Sequence, residues 1–437
     1  MKKNILFTFL LIILIFSNKS FANLDKSYDY FSKNFPLAAI SLFLFSLERG
    51  KIESAQVPKM IKTSIEKVGF YPFVEIKEQN LKLIKTEESE FILAYQDFLR
   101  KKYEDSLKKL SSLKLSENKK LLHKKYLMMG YISALNKNFK DADLYYSLCE
   151  QEAIEESQKQ ECYLNKARNF YALQEYKKGL EFYSEIKINQ ITWPKSLLDE
   201  AWFYYSMGDY NRSIGKLITY RAPILSEYKN VESLYLETLS YLRLCHFDEA
   251  ERVKTNFIQF YEKEYQDILN SSKTKDPQYF YTLFKQIKEG HTFDNKILEE
   301  IALNLSKTFQ YNSLFDLLKE ISDEKSKAVS QNIKAAPGLL DFLHAKVESF
   351  LKRQIYNYFI KSLNHVGKIF KNFSLIGLEV IRAQKSALIS GIEGPVKGDM
   401  RNLNIESYHL FWDFIHEFWL TELGSYIPAL ENKCVKS

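Results

Sequence analysis

The side chains of this 437-residue sequence best placed by type and spacing to do chemistry are four cysteines and one short trio. The trio is His409, Asp413 and His416, at i, i+4 and i+7 of a helical register. Two imidazoles and a carboxylate on one helix face can hold zinc. Here Phe411, Trp412, Ile415, Phe418 and Trp419 surround them, so the simpler expectation is a helix packed through its aromatics with polar residues outward, and no metal site is assigned. The cysteines are Cys149, Cys162, Cys245 and Cys434, with no CxxC or Cys/His zinc spacing. In an oxidising compartment they can pair. Cys149 and Cys162 are the expected candidates for a disulfide between neighbouring helices, the alternative being two small buried hydrophobes. No HExxH, no G-x-S-x-G and no phosphate-cradling loop is present. The one glycine-rich stretch, Gly391 to Gly398, lacks a flanking strand and a Lys-Ser/Thr pair. The sequence therefore predicts no catalytic residue and no cofactor.

The elements that would carry these residues are helices. Gly 14 and Pro 9 are few for the length, and aromatics make up 15%. Few breakers and ample apolar area predict an all-α chain with a well-filled core. Lysines are interleaved with glutamates in the pattern of solvated helix faces, and the net charge of +7 includes Lys2, Lys3 and Lys19 of the leader described next. Nucleic acid is not an expected partner.

Residues 1–22 read as a signal peptide. Lys2 and Lys3 precede an apolar run from Ile5 to Phe16, and Ser20-Phe21-Ala22 offers small residues at the −3 and −1 positions of a cut after Ala22. An uncleaved anchor is the alternative, for which the run is short. No later run is apolar enough to span a membrane, so the expectation is an exported, periplasmic protein.

Between Ala94 and Ala250 one frame recurs five times: a short residue, an aromatic nine positions on, and another short residue three further. The sets are Ala94/Tyr103/Ser106, Gly130/Phe139/Ala142, Ala167/Tyr176/Gly179, Ala201/Tyr210/Ser213 and Thr238/Phe247/Ala250. Recurrence at such a period predicts stacked helix pairs. Short residues are needed where paired helices cross closely, and aromatics fill the space between pairs.

This pattern resembles the tetratricopeptide repeat (TPR) family. The best match is Ala201-Trp202-Phe203-Tyr204, Gly208-Asp209-Tyr210 and Ser213. Asp97, Ser133 and Lys254 stand where the family favours bulky apolar residues. The domain reading is an N-terminal helical cap over 23–86 and a TPR-like superhelix over 87–325, clear to 260 and divergent over 261–325. A long-helix C-terminal region with an aromatic terminal helix then covers 326–437. Apolar spacing over 339–390 predicts one very long helix or two long ones, and a final amphipathic helix from Tyr408 to Leu423.

The resemblance implies a concave groove lined by the first helices. Its positions carry over to Phe91, Tyr95 and Phe98; Leu127 and Tyr131; Leu164, Arg168 and Tyr171; Leu198, Trp202 and Tyr205; and Tyr235, Leu239 and Arg243. Tyr, Trp and Arg commonly anchor interfaces. The other expectation for these positions is that the chain's own C-terminal helices cover them. The string from Phe411-Trp412-Asp413-Phe414 to Glu422-Leu423-Gly424-Ser425-Tyr426, ending at Cys434, is similar to the closing segment of periplasmic TPR proteins of deltaproteobacterial gliding machinery. In those proteins a basic residue follows the second aromatic pair, where Leu420-Thr421 stands here. The function expected is a non-catalytic protein–protein scaffold or adaptor in a periplasmic envelope assembly, with other envelope proteins or peptide segments as partners. The alternative is a helical enzyme acting on peptidoglycan. A carrier of a small apolar ligand is a third and weaker reading.

Overall fold

The computed structural model describes residues 24–50, 56–115, 118–225, 228, 230–271, 274, 276–389 and 418–434. The expected signal peptide, the glycine-rich stretch and the His409/Asp413/His416 trio lie outside them. Among the described residues there is no strand. The chain divides into two compact units. One holds residues 1–136, 151–154 and 309–354, and the other holds 137–150, 155–308 and 355–437.

In the first unit, α1 (Leu24–Ser32) and α2 (Pro36–Glu48) form a hairpin, followed by α3 (Val57–Val68) and a short α4 (Glu78–Leu81). Proline opens α2, where its missing N–H costs nothing. The helix is apolar nearly all round, and Phe35, Ala38, Ala39, Ile40, Phe43 and Leu47 are fully buried. α5 (Glu87–Leu99) starts at a capping box between Thr86 and Ser89 and pairs with α6 (Tyr103–Ser112) as the first clear repeat. α7 (Lys119–Leu135) packs on both.

The second unit begins with α8 (Phe139–Gln151) and continues with α9 (Glu156–Ala172), α10 (Tyr176–Ser184), α11 (Trp193–Ser206), α12 (Tyr210–Thr219), α13 (Val231–Arg243) and α14 (Phe247–Asn270). These pair as the hairpins α9/α10, α11/α12 and α13/α14. Each hairpin stacks on the next, with α9 touching α11 and α11 touching α13. This is a TPR-like helical repeat, and the short residues of the frame sit at the crossings. Ala167, Ala201 and Ala250 are fully buried, and the Ser213 and Ser240 hydroxyls meet at 3.2 Å. In the first unit Ser106 Oγ donates to the Ala94 carbonyl at 2.8 Å across the same kind of crossing.

The hairpin turns share a feature the sequence frame did not reveal. Lys101, Lys137, Gln174, Gly208 and Cys245 all have positive φ, between 57° and 82°, and each stands two residues before the frame's aromatic. One left-handed residue reverses the chain at every turn, and only one of the five is glycine.

Beyond the repeats, α15 (Pro277–Lys288) pairs with α16 (Lys296–Ser306) in the second unit. α17 (Phe309–Ser330) belongs to the first unit, where the Glu324 carboxylate accepts the Leu37 and Ala38 N–H groups at 3.2 and 2.8 Å and so caps α2. α18 (Ala336–Ile389) is one continuous helix of 54 residues. Its early turns pack in the first unit, with Phe350 against Tyr71. Its later turns pack in the second, with Phe373 and Phe370 against Phe257. Where a helix over 408–423 was expected, Leu420–Gly424 form turns and 425–434 run without regular structure, while 408–417 lie outside the described residues. No helix among the described residues is long and apolar enough to cross a membrane.

Candidate protein-binding surface

The residues expected to line a groove separate into three groups. Phe91, Tyr95, Leu127, Leu164 and Leu198 are buried, Phe91 and Leu127 completely. They are core, not surface, which corrects their assignment. On a tightly paired first helix the core-facing stripe reaches these positions, and apolar and aromatic side chains there are drawn into the core. Tyr95 shows how this works: it packs edge-on against Phe70 and Tyr71, and its burial pushes the hydroxyl well above the ordinary tyrosine range.

Tyr235 and Leu239 form the second group, on α13. The Tyr235 ring meets Phe373 of α18 edge-on at 5.6 Å, and Asn372 donates to its hydroxyl at 3.3 Å. The chain's own long helix therefore covers the Tyr235 part of the expected groove, and Leu239 is partly buried.

The third group keeps partial exposure: Arg243 is exposed, and the other side chains are partly buried. Phe98 and Tyr131 belong to the first unit, Phe98 packing against Tyr95 and Tyr103. Arg168, Tyr171, Trp202, Tyr205 and Arg243 belong to the second and are joined rung by rung across successive first helices. The Arg168 guanidinium on α9 donates to Asp199 on α11 at 2.7 Å. Burial pushes the Asp199 carboxyl above the ordinary carboxylate range, and Arg168 acts against that rise. The Tyr171 hydroxyl meets Ser206 Oγ at 2.9 Å. Trp202 stands edge-on to Tyr205 at 5.8 Å, and its indole N–H donates to Glu232 at the start of α13 at 2.9 Å. Arg243, at the far end of α13, donates to the Tyr205 hydroxyl at 3.1 Å. Each side chain is thus held by a neighbour from an adjacent repeat and has lost much of its rotamer freedom before any partner arrives. The arrangement offers flat aromatic faces, two guanidinium groups and no arrangement of nucleophile and base.

Three partners in this network escaped the sequence reading. Asp199, Glu232 and Ser206 carry no pattern of their own, and what selects them is their position one repeat away from Arg168, Trp202 and Tyr171. His365 on α18 is a fourth: its Nε2 lies 3.0 Å from the second Glu232 oxygen.

The sequence matches no protein-family profile and no curated protein. Several solved structures are similar to it at a low level, among them two Rap proteins. One is the apo form of RapI, 13% identical, covering 64% of this chain and 99% of that one, with a TM-score of 0.34. The other is a Rap protein complexed with competence and sporulation factor, 14% identical, covering 76% and 98%, with a TM-score of 0.33. At those scores the likeness adds nothing to the fold read from the helices themselves.

The cysteines all pair. Cys149 bonds to Cys162, and Cys245, at the α13/α14 turn, bonds to Cys434. The second bond fixes the end of a strap, residues 418–434, laid over α11, α12 and α13. Gly424 N–H donates to Thr219 Oγ1 at 3.0 Å. Asn211 and Leu430 exchange two hydrogen bonds at 2.9 and 3.0 Å. The His246 ring donates to the Glu431 carbonyl at 2.7 Å, and Lys433 N–H to the Leu244 carbonyl at 2.9 Å. At Gly215 the strap comes so close that a Cβ there would lie 1.6 Å from the Tyr426 carbonyl oxygen.

Proposed function

We propose that this chain is a non-catalytic protein–protein scaffold, and that Arg168, Tyr171, Trp202, Tyr205 and Arg243 are the surface that takes its partner. The observation that carries the reading is the cross-repeat bracing of these side chains. Aromatic and guanidinium groups already immobilised, and still partly exposed, lose little entropy on association and are the usual anchors of interfaces. The partner is a peptide segment or envelope protein with apolar side chains to lie on Trp202 and Tyr205, and a carboxylate for Arg243.

The compartment is an exported, oxidising one. The leader-like residues 1–22 and the use of every cysteine in a disulfide support this. The aromatic string near the C-terminus directs the search to gliding-type envelope machinery. The test uses Trp202→Ala and Arg243→Ala in cells of the source organism, with circular dichroism to verify folding and quantitative crosslinking mass spectrometry to record partners. The proposal requires loss of at least one partner crosslinked to α11 or α13. An unchanged partner set in both variants refutes it.

A further inference from the structure

The two disulfides differ in a way that divides their roles. Cys149 and Cys162 are completely buried. Cys245 and Cys434 are half-buried at a hairpin tip, within reach of an attacking thiolate. What each bond holds differs too. Cys149–Cys162 spans 13 residues between adjacent helices of the second unit, so opening it would breach the repeat core. Cys245–Cys434 spans 189 residues and fixes only the strap. The strap has turns over 420–424 and no regular secondary structure after, and it rests on the repeats through Phe418, Leu423, Tyr426, Leu430 and a few hydrogen bonds.

We propose that Cys245–Cys434 is a redox-operated clasp. Its reduction frees residues 418–434 from α11, α12 and α13 while the repeats stay folded and Cys149–Cys162 stays closed. The reductant is a dithiol. One of its thiolates attacks Cys434 Sγ, the Cys245–Cys434 bond breaks, and Cys245 leaves as a thiolate that takes a proton from water. The second thiol of the reductant then attacks the mixed disulfide and releases Cys434, which is protonated in turn. Two electrons pass to the protein, and the reductant becomes a disulfide.

Release has a local consequence. Leu423 withdraws from Trp193 and Leu197, and the Tyr426 backbone withdraws from Gly215, a spot on α12 that no side chain of its own covers. The strap's other contacts oppose opening by keeping Cys434 beside Cys245, so they set how much reductant is needed. Asn211 grips Leu430 through both ends of its amide, and so it is the residue that sets this threshold.

The test treats the folded full chain with increasing dithiothreitol, traps free thiols by alkylation, and reads both the labelled cysteines and the amide hydrogen exchange of 419–433 by mass spectrometry. Cys245 and Cys434 are expected to label at a dithiol concentration about tenfold or more below that needed for Cys149 and Cys162. Far-UV circular dichroism should not change, and strap amides should exchange about tenfold faster or more. Cys434→Ser should show the fast exchange without reductant. Asn211→Ala should lower the threshold of Cys245–Cys434 several-fold, to about the extent that a lost pair of hydrogen bonds lowers effective concentration, and leave that of Cys149–Cys162 in place. Labelling of all four cysteines at one concentration overturns the proposal. So do strap amides that stay protected after reduction, and a threshold that Asn211→Ala does not move.

Discussion

Glu232 holds Trp202 with one carboxylate oxygen and His365 with the other, at 2.9 and 3.0 Å. A single side chain at the start of α13 thus ties the partly buried indole of the preceding repeat to the long helix α18. The same carboxylate sits in the first turn of α13, where it also complements the helix dipole.

Glu232→Ala should therefore cost about 1–2 kcal/mol, leaving a half-buried indole N–H without its acceptor. Glu232→Gln keeps an acceptor for Trp202 and should cost less. Denaturant unfolding of the two variants gives the comparison, and equal losses would show that the indole bond contributes nothing.

His365 makes the same junction depend on pH. Its hydrogen bond to Glu232 raises the imidazole above its usual value, while partial desolvation, Lys368 and Lys361 work the other way. A histidine raised in the folded state contributes stability that is complete below its unfolded value, near 6.5, and is lost as pH climbs through the folded value. His365→Gln should thus destabilise the protein at pH 5.5 and leave it unchanged at pH 8.5. The pair is half exposed, so the difference at low pH should stay under about 1 kcal/mol. A gap that grows with rising pH would contradict the assignment.

At the crossing of the third and fourth repeats, a Cβ on Gly179 would lie 2.2 Å from Cε1 of the buried Phe203 and 3.2 Å from the Ala167 carbonyl oxygen. Alanine is the better helix former, but here the ring has nowhere to go. Gly179→Ala should lower stability by roughly 1–3 kcal/mol, with the melting temperature falling accordingly. A rise in melting temperature would mean that α10 and α11 are not packed as closely as described.

The turn residues give a paired prediction of opposite sign. Gln174 adopts φ +62° and Gly208 φ +82° at equivalent positions. A side chain in this conformation costs about 1–2 kcal/mol, part of which glycine returns as unfolded-state entropy. Gln174→Gly should stabilise by about 0.5 kcal/mol, and Gly208→Ala should destabilise by about 1 kcal/mol. Midpoints of chemical unfolding distinguish the two, and shifts of the same sign would refute the shared turn geometry.

The repeats were legible because their crossings admit few residue types. Ala167, Gly179, Ala201 and Ser213 are short for a steric reason, and that reason recurs at each hairpin. The turns were less legible because lysine, glutamine and cysteine fill the left-handed position that glycine usually marks. Side-chain exposure on the first helices could not be read from spacing: Leu198 is core, whereas Trp202, four residues later, is at the surface with one edge on Glu232. Tyr235 is covered by Phe373, more than a hundred residues away, a contact that spacing within the repeats does not carry. The strap left no periodic trace, since it is not helical after Gly424 and much of its hold is through its backbone groups, bonded to Asn211, Thr219 and His246. Its attachment point had an arithmetic clue: once Cys149 and Cys162 pair, Cys245 and Cys434 are left for each other.

The bond between Cys245 and Cys434 also changes what a cut does to the molecule. With it closed, residues 245 to 434 form a covalent ring. A protease that nicks any one link of that ring converts a circle into a branched line and releases no fragment. The nicked protein would migrate as one chain on a non-reducing gel and as two on a reducing gel. Much of the second unit and all of α18 would remain attached after a first cleavage event.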